Sequence, residues 1–306
     1  MNAKTNAVRA SIRTRKRWDL LFGALGILSI MVAVMTLLVL FLDMAITGIP
    51  RLSVEFFTSF PSRRAANAGI LSSWVGSILV MMVTAAVAVP IGISSAIYLE
   101  EYARKNWFTD VIEINITNLA GVPSIIYGLL ALGLFIYTFG LGQSILTAGL
   151  TLALLILPIV ITTTREALRS IPVHVREGAY ACGASRFQVV SHHLVPYSLP
   201  GILTGVIIGM SRAIGETAPI ITIGALTFIA FLPPVPFSGT PPAGMFDWLT
   251  SPFTVMPIQI FNWTSRPDPA FLQNAAAASF VLVLMTLCMN AAAIWLRYRL
   301  RKNIKW

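Results

Sequence analysis

Arg212 and Glu216 are the only charged residues between Arg186 and Asp247. Four residues apart, they share one face of any helix that carries them. The Arg guanidinium offers a planar fork of donors that fits a tetrahedral oxyanion. Glu216 can neutralise that cation while the site is empty, or accept a hydrogen bond from a proton-bearing oxygen of the substrate. Thr217 adds a hydroxyl directly beside the pair. Charge in an apolar stretch is costly, so such residues are functional candidates by default. The plainer alternative is an ion pair that pins this stretch against a neighbour.

The element that must position the pair begins near Pro200. Arg212 stands 12 residues further on, about 18 Å along a helix and so near the middle of a bilayer. Gly201, Gly205, Gly209 and Ala213 recur every four residues on the same stretch. Such a stripe of small residues lets two helices approach closely in lipid. Pro219 is expected to loosen the helix just past the pair.

The rest of the composition supports a membrane setting. The chain is 56% hydrophobic and 11% charged, with mean hydropathy +0.78, where soluble domains carry about 25% charge. Apolar runs predict six spans, at about 20–46, 71–99, 114–138, 145–164, 200–230 and 270–296. The third and fourth come from one uncharged run, Ile114–Thr164, divided at the turn-forming Phe139–Ser144. Pro123, in Gly121-Val122-Pro123-Ser124, frees a carbonyl in the third span and marks a weak point. Lys and Arg number six in residues 1–19, two after Glu100, four in 165–199 and five in the tail, against four on the opposite side. This bias places both termini, and the 165–199 hinge, in the cytoplasm. The +10 formal charge is thereby explained without nucleic acid as a partner. Cys182 and Cys288 have no metal-ligand spacing, no Walker A pattern is present, and no metal or bound cofactor is expected. An intramembrane enzyme would need a nucleophile–base pair or metal ligands at depth, and none is legible.

The hinge predicts two short helices. One runs from about Val173 to Cys182, with Gly183 at its left-handed end. The second starts at Ser185, where Ser185 and Gln188 form a capping box. Pro196 and Pro200 then bracket the return to the membrane. His192 and His193 are read as surface or packing residues.

Glu177-Gly178-Ala179, Gly183 four residues on, and Leu194-Val195-Pro196 resemble the EAA loop of ABC importer permeases. Gly178 stands where that pattern has Ala, and Leu194-Val195-Pro196 replaces its usual Ile-x-Leu-Pro ending. Ser-Arg-Ala-Ile-Gly-Glu-Thr-Ala-Pro (Ser211–Pro219) and Gly-Val-Pro-Ser-Ile-Ile-Tyr-Gly (Gly121–Gly128) are similar to the phosphate-specific branch, of PstA type. The resemblance covers about 70–296 and leaves an extra N-terminal span at 20–46. It implies an all-α membrane protein with the type I importer permease (MetI-like) core, in a bacterial cytoplasmic (inner) membrane. It implies a PstC-type permease partner, an ATPase dimer that binds ATP-Mg, and an external phosphate-binding protein. Arg212, Glu216 and Thr217 would then line the substrate pathway. Glu177, Gly178, Ala179, Gly183, Leu194 and Pro196 would form the loop that docks on the ATPase. The expected function is phosphate import by alternating access, as a transport subunit rather than an enzyme. The alternatives are molybdate or sulfate as cargo, or a self-contained proton-coupled transporter. The Pro-rich outer segment 231–270 is expected to pack on the bundle or to dock the binding protein.

Overall fold

The computed structural model describes residues 2–236 and 244–301. Pro241 and Pro242 of the Pro-rich outer segment, and the tail beyond Arg301, lie outside the described residues. Helix α1 (Asn2–Gly48) leads to a short outer segment, and α2 (Leu71–Ile97) ends in a wide π-turn at Tyr98–Tyr102. Next come α3 (Trp107–Leu119) and α4 (Ser124–Ala131), the latter continued by π-turns to Thr138. Helix α5 (Ile145–Arg169) and the short α6 (Val173–Ala181) precede α7 (Arg186–Gly215). The fold closes with α8 (Ala218–Thr222), α9 (Met256–Thr264) and α10 (Ala270–Arg301). Among the described residues, five helices are long and apolar enough to cross a membrane, and six if the bent pair α3–α4 is one span. No strand occurs among the described residues.

Two glycines bring α2 and α5 together. A Cβ on Gly92 would sit 2.7 Å from Val160, and one on Gly149 would overlap Val83. Thr84 crosses the same contact, donating to the Val80 carbonyl at 2.9 Å and the Gly149 carbonyl at 3.3 Å. The small stripe on α7 faces α5 as well. A Cβ on Gly201 would lie 2.6 Å from that of Ala167, and one on Gly205 would collide with Thr163 Oγ1. These contacts fix α7, and hence Arg212, against the centre of the bundle. By contrast α1 packs on α10, with Gly48 against Ala277 and Phe41 5.7 Å from Phe280.

Both helix breaks have one cause. Pro123 has no N–H for the Leu119 carbonyl four residues back, and its ring crowds that oxygen. Helix α3 therefore stops at Leu119, and the chain turns by 109° into α4. The Leu119 carbonyl accepts instead from Val122 N at 3.1 Å and from the Tyr127 hydroxyl at 2.8 Å. Pro219 acts identically on Gly215. The predicted span over 200–230 is corrected here: α7 ends at Gly215, Glu216 is extended (φ −75°, ψ 122°), and Pro219 becomes a first-turn proline of α8.

The hinge also differs from expectation. Its beginning belongs to α5, which runs to Arg169, and its second helix is not separate from the span expected from about residue 200. Instead a single helix runs from Arg186 to Gly215. The π-turns at Val189–Leu194 widen the hydrogen-bond ladder just where Pro196 has no N–H to give.

The outer segment folds onto the bundle. Trp248, Phe253 and Trp263 are buried and serve the core, while Phe231, Phe246 and Phe261 stay exposed. Arg51 anchors the other outer piece, residues 51–68, as a cap on α10. It donates to Asn274 Oδ1 at 2.8 Å and to the carbonyls of Ala66 (2.6 Å) and Ala68 (3.1 Å), and lies 5.2 Å from the Phe56 ring centre.

Candidate functional site

Arg212 occupies the last turn of α7, and its Nε donates to Glu216 Oε1 at 3.2 Å. The pairing is as the spacing suggested, but its setting is not. The Arg212 side chain is 38% exposed and that of Glu216 19%, so the pair is not enclosed by its own chain. Lying beyond the helix end, Glu216 reaches back to Arg212 from extended backbone. Thr217 is half-buried and its carbonyl accepts from Ile221 N at 3.0 Å, at the start of α8. A cavity for about one water lies against Glu216, between Ser77, Leu152 and Val255.

The two helix breaks meet at this point. A Cβ on Gly128 of α4 would lie 2.7 Å from Pro219 Cα and collide with Thr222 Oγ1. Gly128 is therefore what lets α4 rest on α8. Discontinuous helices meeting inside a membrane bundle expose backbone polar groups and charge to a shared cavity. Pro123 and Pro219 were each legible as local weak points; that the two weak points touch was not.

The hinge residues divide into two groups. Gly183 has φ +82°, and Ala184 N donates to the Ala179 carbonyl at 3.1 Å, closing the turn after α6. The capping box forms as expected, with Ser185 N donating to Gln188 Oε1 at 2.8 Å and Gln188 N to Ser185 Oγ at 3.4 Å. Leu194 is fully buried with Leu168, Ile171, Val189 and Val190, and Ala179 packs against them. Pro196 is half-buried within α7. Glu177 and Gly178 are exposed, with Glu177 Oε2 3.5 Å from His174 Nδ1. Sequence reasoning missed the exposed apolar residues here, Val173, Tyr180 and Phe187, which give the loop a sticky outer surface.

It also missed how the hinge is tied down. Arg176 Nη2 donates to Glu101 Oε1 at 2.8 Å and to the Leu168 carbonyl at 3.1 Å. Arg169 Nε lies 2.9 Å from both Glu100 oxygens. Arg165 pairs with Glu100 at 3.3 Å and with Glu113 of α3. Three guanidinium groups thus meet three carboxylates. Among the described residues, no three His, Cys, Asp or Glu could hold a metal ion.

Among the described residues, then, five or six apolar crossings surround an Arg–Glu pair at two helix breaks, with an ion-paired hinge at one end. Residues 88–306 match the family described as binding-protein-dependent transport system inner membrane component, and the chain belongs to that family. It is 32% identical to the probable ABC transporter permease protein YqgI of Bacillus subtilis, over 92% of this chain and 95% of that one. It is 31% identical to the phosphate transport system permease protein PstA of Yersinia pestis, covering 80% and 78% of the two chains. To the PstA protein of Haemophilus influenzae it is 29% identical, covering 90% and 92%. Its fold is similar to that of an inward-facing MetNI methionine ABC transporter, with TM-score 0.57 and 16% identity over 74% of this chain and 93% of that one.

Proposed function

We propose that this chain is a permease subunit of an ATP-driven ABC importer for inorganic phosphate. The observation that carries the reading is an outward-facing guanidinium, held on one edge by Glu216, where two broken helices meet. The similarity to PstA proteins over most of the chain supports phosphate as the cargo. Phosphate takes the place of Glu216 on Arg212 as it passes, with Thr217 supplying a hydroxyl at the same level. Exposure of Arg212 on the surface of a single chain suits a pathway shared with a second, PstC-type permease. ATP is bound and hydrolysed by a separate ATPase dimer. The α6 turn docks on that dimer through Glu177, Gly178 and the exposed Tyr180 and Phe187. Ala179, Gly183, Leu194 and Pro196 shape the turn from within. An external phosphate-binding protein delivers the substrate, and the bacterial inner membrane is the site of action.

Labelled-phosphate uptake into vesicles carrying the full complex tests this reading. ATP-dependent uptake resists excess sulfate and molybdate, and Arg212→Gln lowers it at least about tenfold, the cost of one charge-assisted hydrogen bond. Uptake blocked by sulfate or molybdate would assign another oxyanion. Undiminished uptake in the variant would remove Arg212 from the pathway.

A further inference from the structure

The six charges at the cytoplasmic end form a chain of ion pairs, linked in the middle by the peptide bond between Glu101 and Glu100. It begins on α6, the turn that meets the ATPase in the function proposed above. Arg176 ties α6 to Glu101 at the end of α2 and to the last turns of α5. Glu100, beside Glu101, holds Arg165 and Arg169 of α5. Arg165 then reaches Glu113 on α3. Arg169 also lies 4.0 Å from Glu113, and among the described residues no ion pair reaches α3 except through Glu113. None of its residues is buried, and Trp107, Phe108, Val111 and Ile114 are exposed.

Beyond α3 the chain of contacts continues to the candidate pathway. The Tyr127 hydroxyl spans the 109° bend by donating to the Leu119 carbonyl. Gly128 then seats α4 on Pro219 and Thr222, immediately past Glu216. A displacement of α6 therefore has one charged route to α3, and α3 has a hydrogen-bonded route to the helix breaks.

The geometry points to Glu113 as a positioning residue for transport: by holding α3 to Arg165, it makes the broken span move with the ATPase-facing turn. This rests on the permease reading and adds a residue to it. The Glu113 side chain is 33% exposed while that of Arg165 is 9% exposed. Removing the carboxylate therefore frees α3 without stripping the buried guanidinium of Glu100.

The test uses the complete reconstituted complex and reads phosphate imported per ATP hydrolysed. Glu113→Gln lowers that ratio about tenfold, within the range of coupling free energies between sites, while ATP hydrolysis stays within about twofold of wild type. An unchanged ratio overturns the inference, as does an equal loss of hydrolysis and uptake, which marks a merely structural pair. A second variant carries Glu113→Cys and Arg165→Cys in a Cys182→Ser, Cys288→Ser background. A bifunctional thiol linker suits this pair better than a disulfide, whose Cα separation must be short. Joining the two cysteines restores the ratio that their substitution lowered. A ratio that stays low, or falls further, shows that α3 must leave α5 and sinks the idea. If the wild-type complex imports no phosphate, the proposed function fails first. If it does, and Glu113→Gln is fully coupled, only this inference fails.

Discussion

The two ends of the molecule hold arginines in opposite ways. At the outer end Arg51 meets no carboxylate among the described residues, only the Asn274 amide, backbone carbonyls and the face of Phe56. At the cytoplasmic end Arg165, Arg169 and Arg176 face Glu100, Glu101 and Glu113. Carbonyl oxygens are fixed by the backbone, so the outer clamp has one geometry. Carboxylates on separate helices can change partners, since Glu100 already shares two arginines and Arg165 two acids. The comparison teaches that the outer end is built as a fixed cap, and the cytoplasmic end as a joint.

Breaking the cap is expected to cost most. Arg51→Ala leaves the buried Asn274 amide oxygen and several carbonyls without their donor. At about 1–3 kcal/mol per buried unsatisfied group, the loss is about 3 kcal/mol in detergent-micelle unfolding. Arg51→Lys recovers little, because an ammonium cannot reproduce the fork. A lysine variant as stable as wild type would show that charge alone holds the cap, and the contrast between the two ends would collapse.

Arg165→Gln comes next. Breaking an enclosed ion pair leaves an uncompensated charge. Here Glu113 keeps contact with solvent and Glu100 keeps Arg169, which reduces the cost to about 2 kcal/mol. The comparison predicts a second signature that Arg51 variants lack: hydrogen exchange speeds up in α3 while the outer residues 65–70 stay protected. Equal loosening at both ends would mean that the cytoplasmic network is as static as the cap.

How much of this was legible depended on distance along the chain. The Gly183 turn, the Ser185–Gln188 capping box and the small stripe of α7 are local patterns, and each forms as read. Pro123 and Pro219 were legible as weak points because a proline disturbs the carbonyl four residues back. Where the broken pieces went was not, since the 109° turn and the seating of Gly128 on Pro219 depend on packing between separate spans. Arg165, Arg169 and Arg176 entered the sequence reading only as positive charge on one side of a membrane. Their partners are 65, 69 and 75 residues away, and no local spacing could name them. Glu216 was placed on the same helix face as Arg212; the pair forms although the helix has ended, because an extended residue can still turn its carboxylate back.

The smallest expected effect is the most discriminating within the joint. Arg169 makes two close contacts with Glu100, yet its side chain is 55% exposed. Water competes for the exposed guanidinium, so an ion pair of this kind contributes below about 1 kcal/mol, and Arg165 remains to hold Glu100. Arg169→Gln should therefore leave stability within that margin and transport coupling intact. A double-mutant cycle of Arg169 with Glu100, set against one of Arg165 with Glu113, gives the two interaction energies directly. A larger energy for Arg165–Glu113 places the working contact of the joint between α5 and α3. The reverse order would centre it on Glu100 at the end of α2, and α3 would be a bystander held by packing alone.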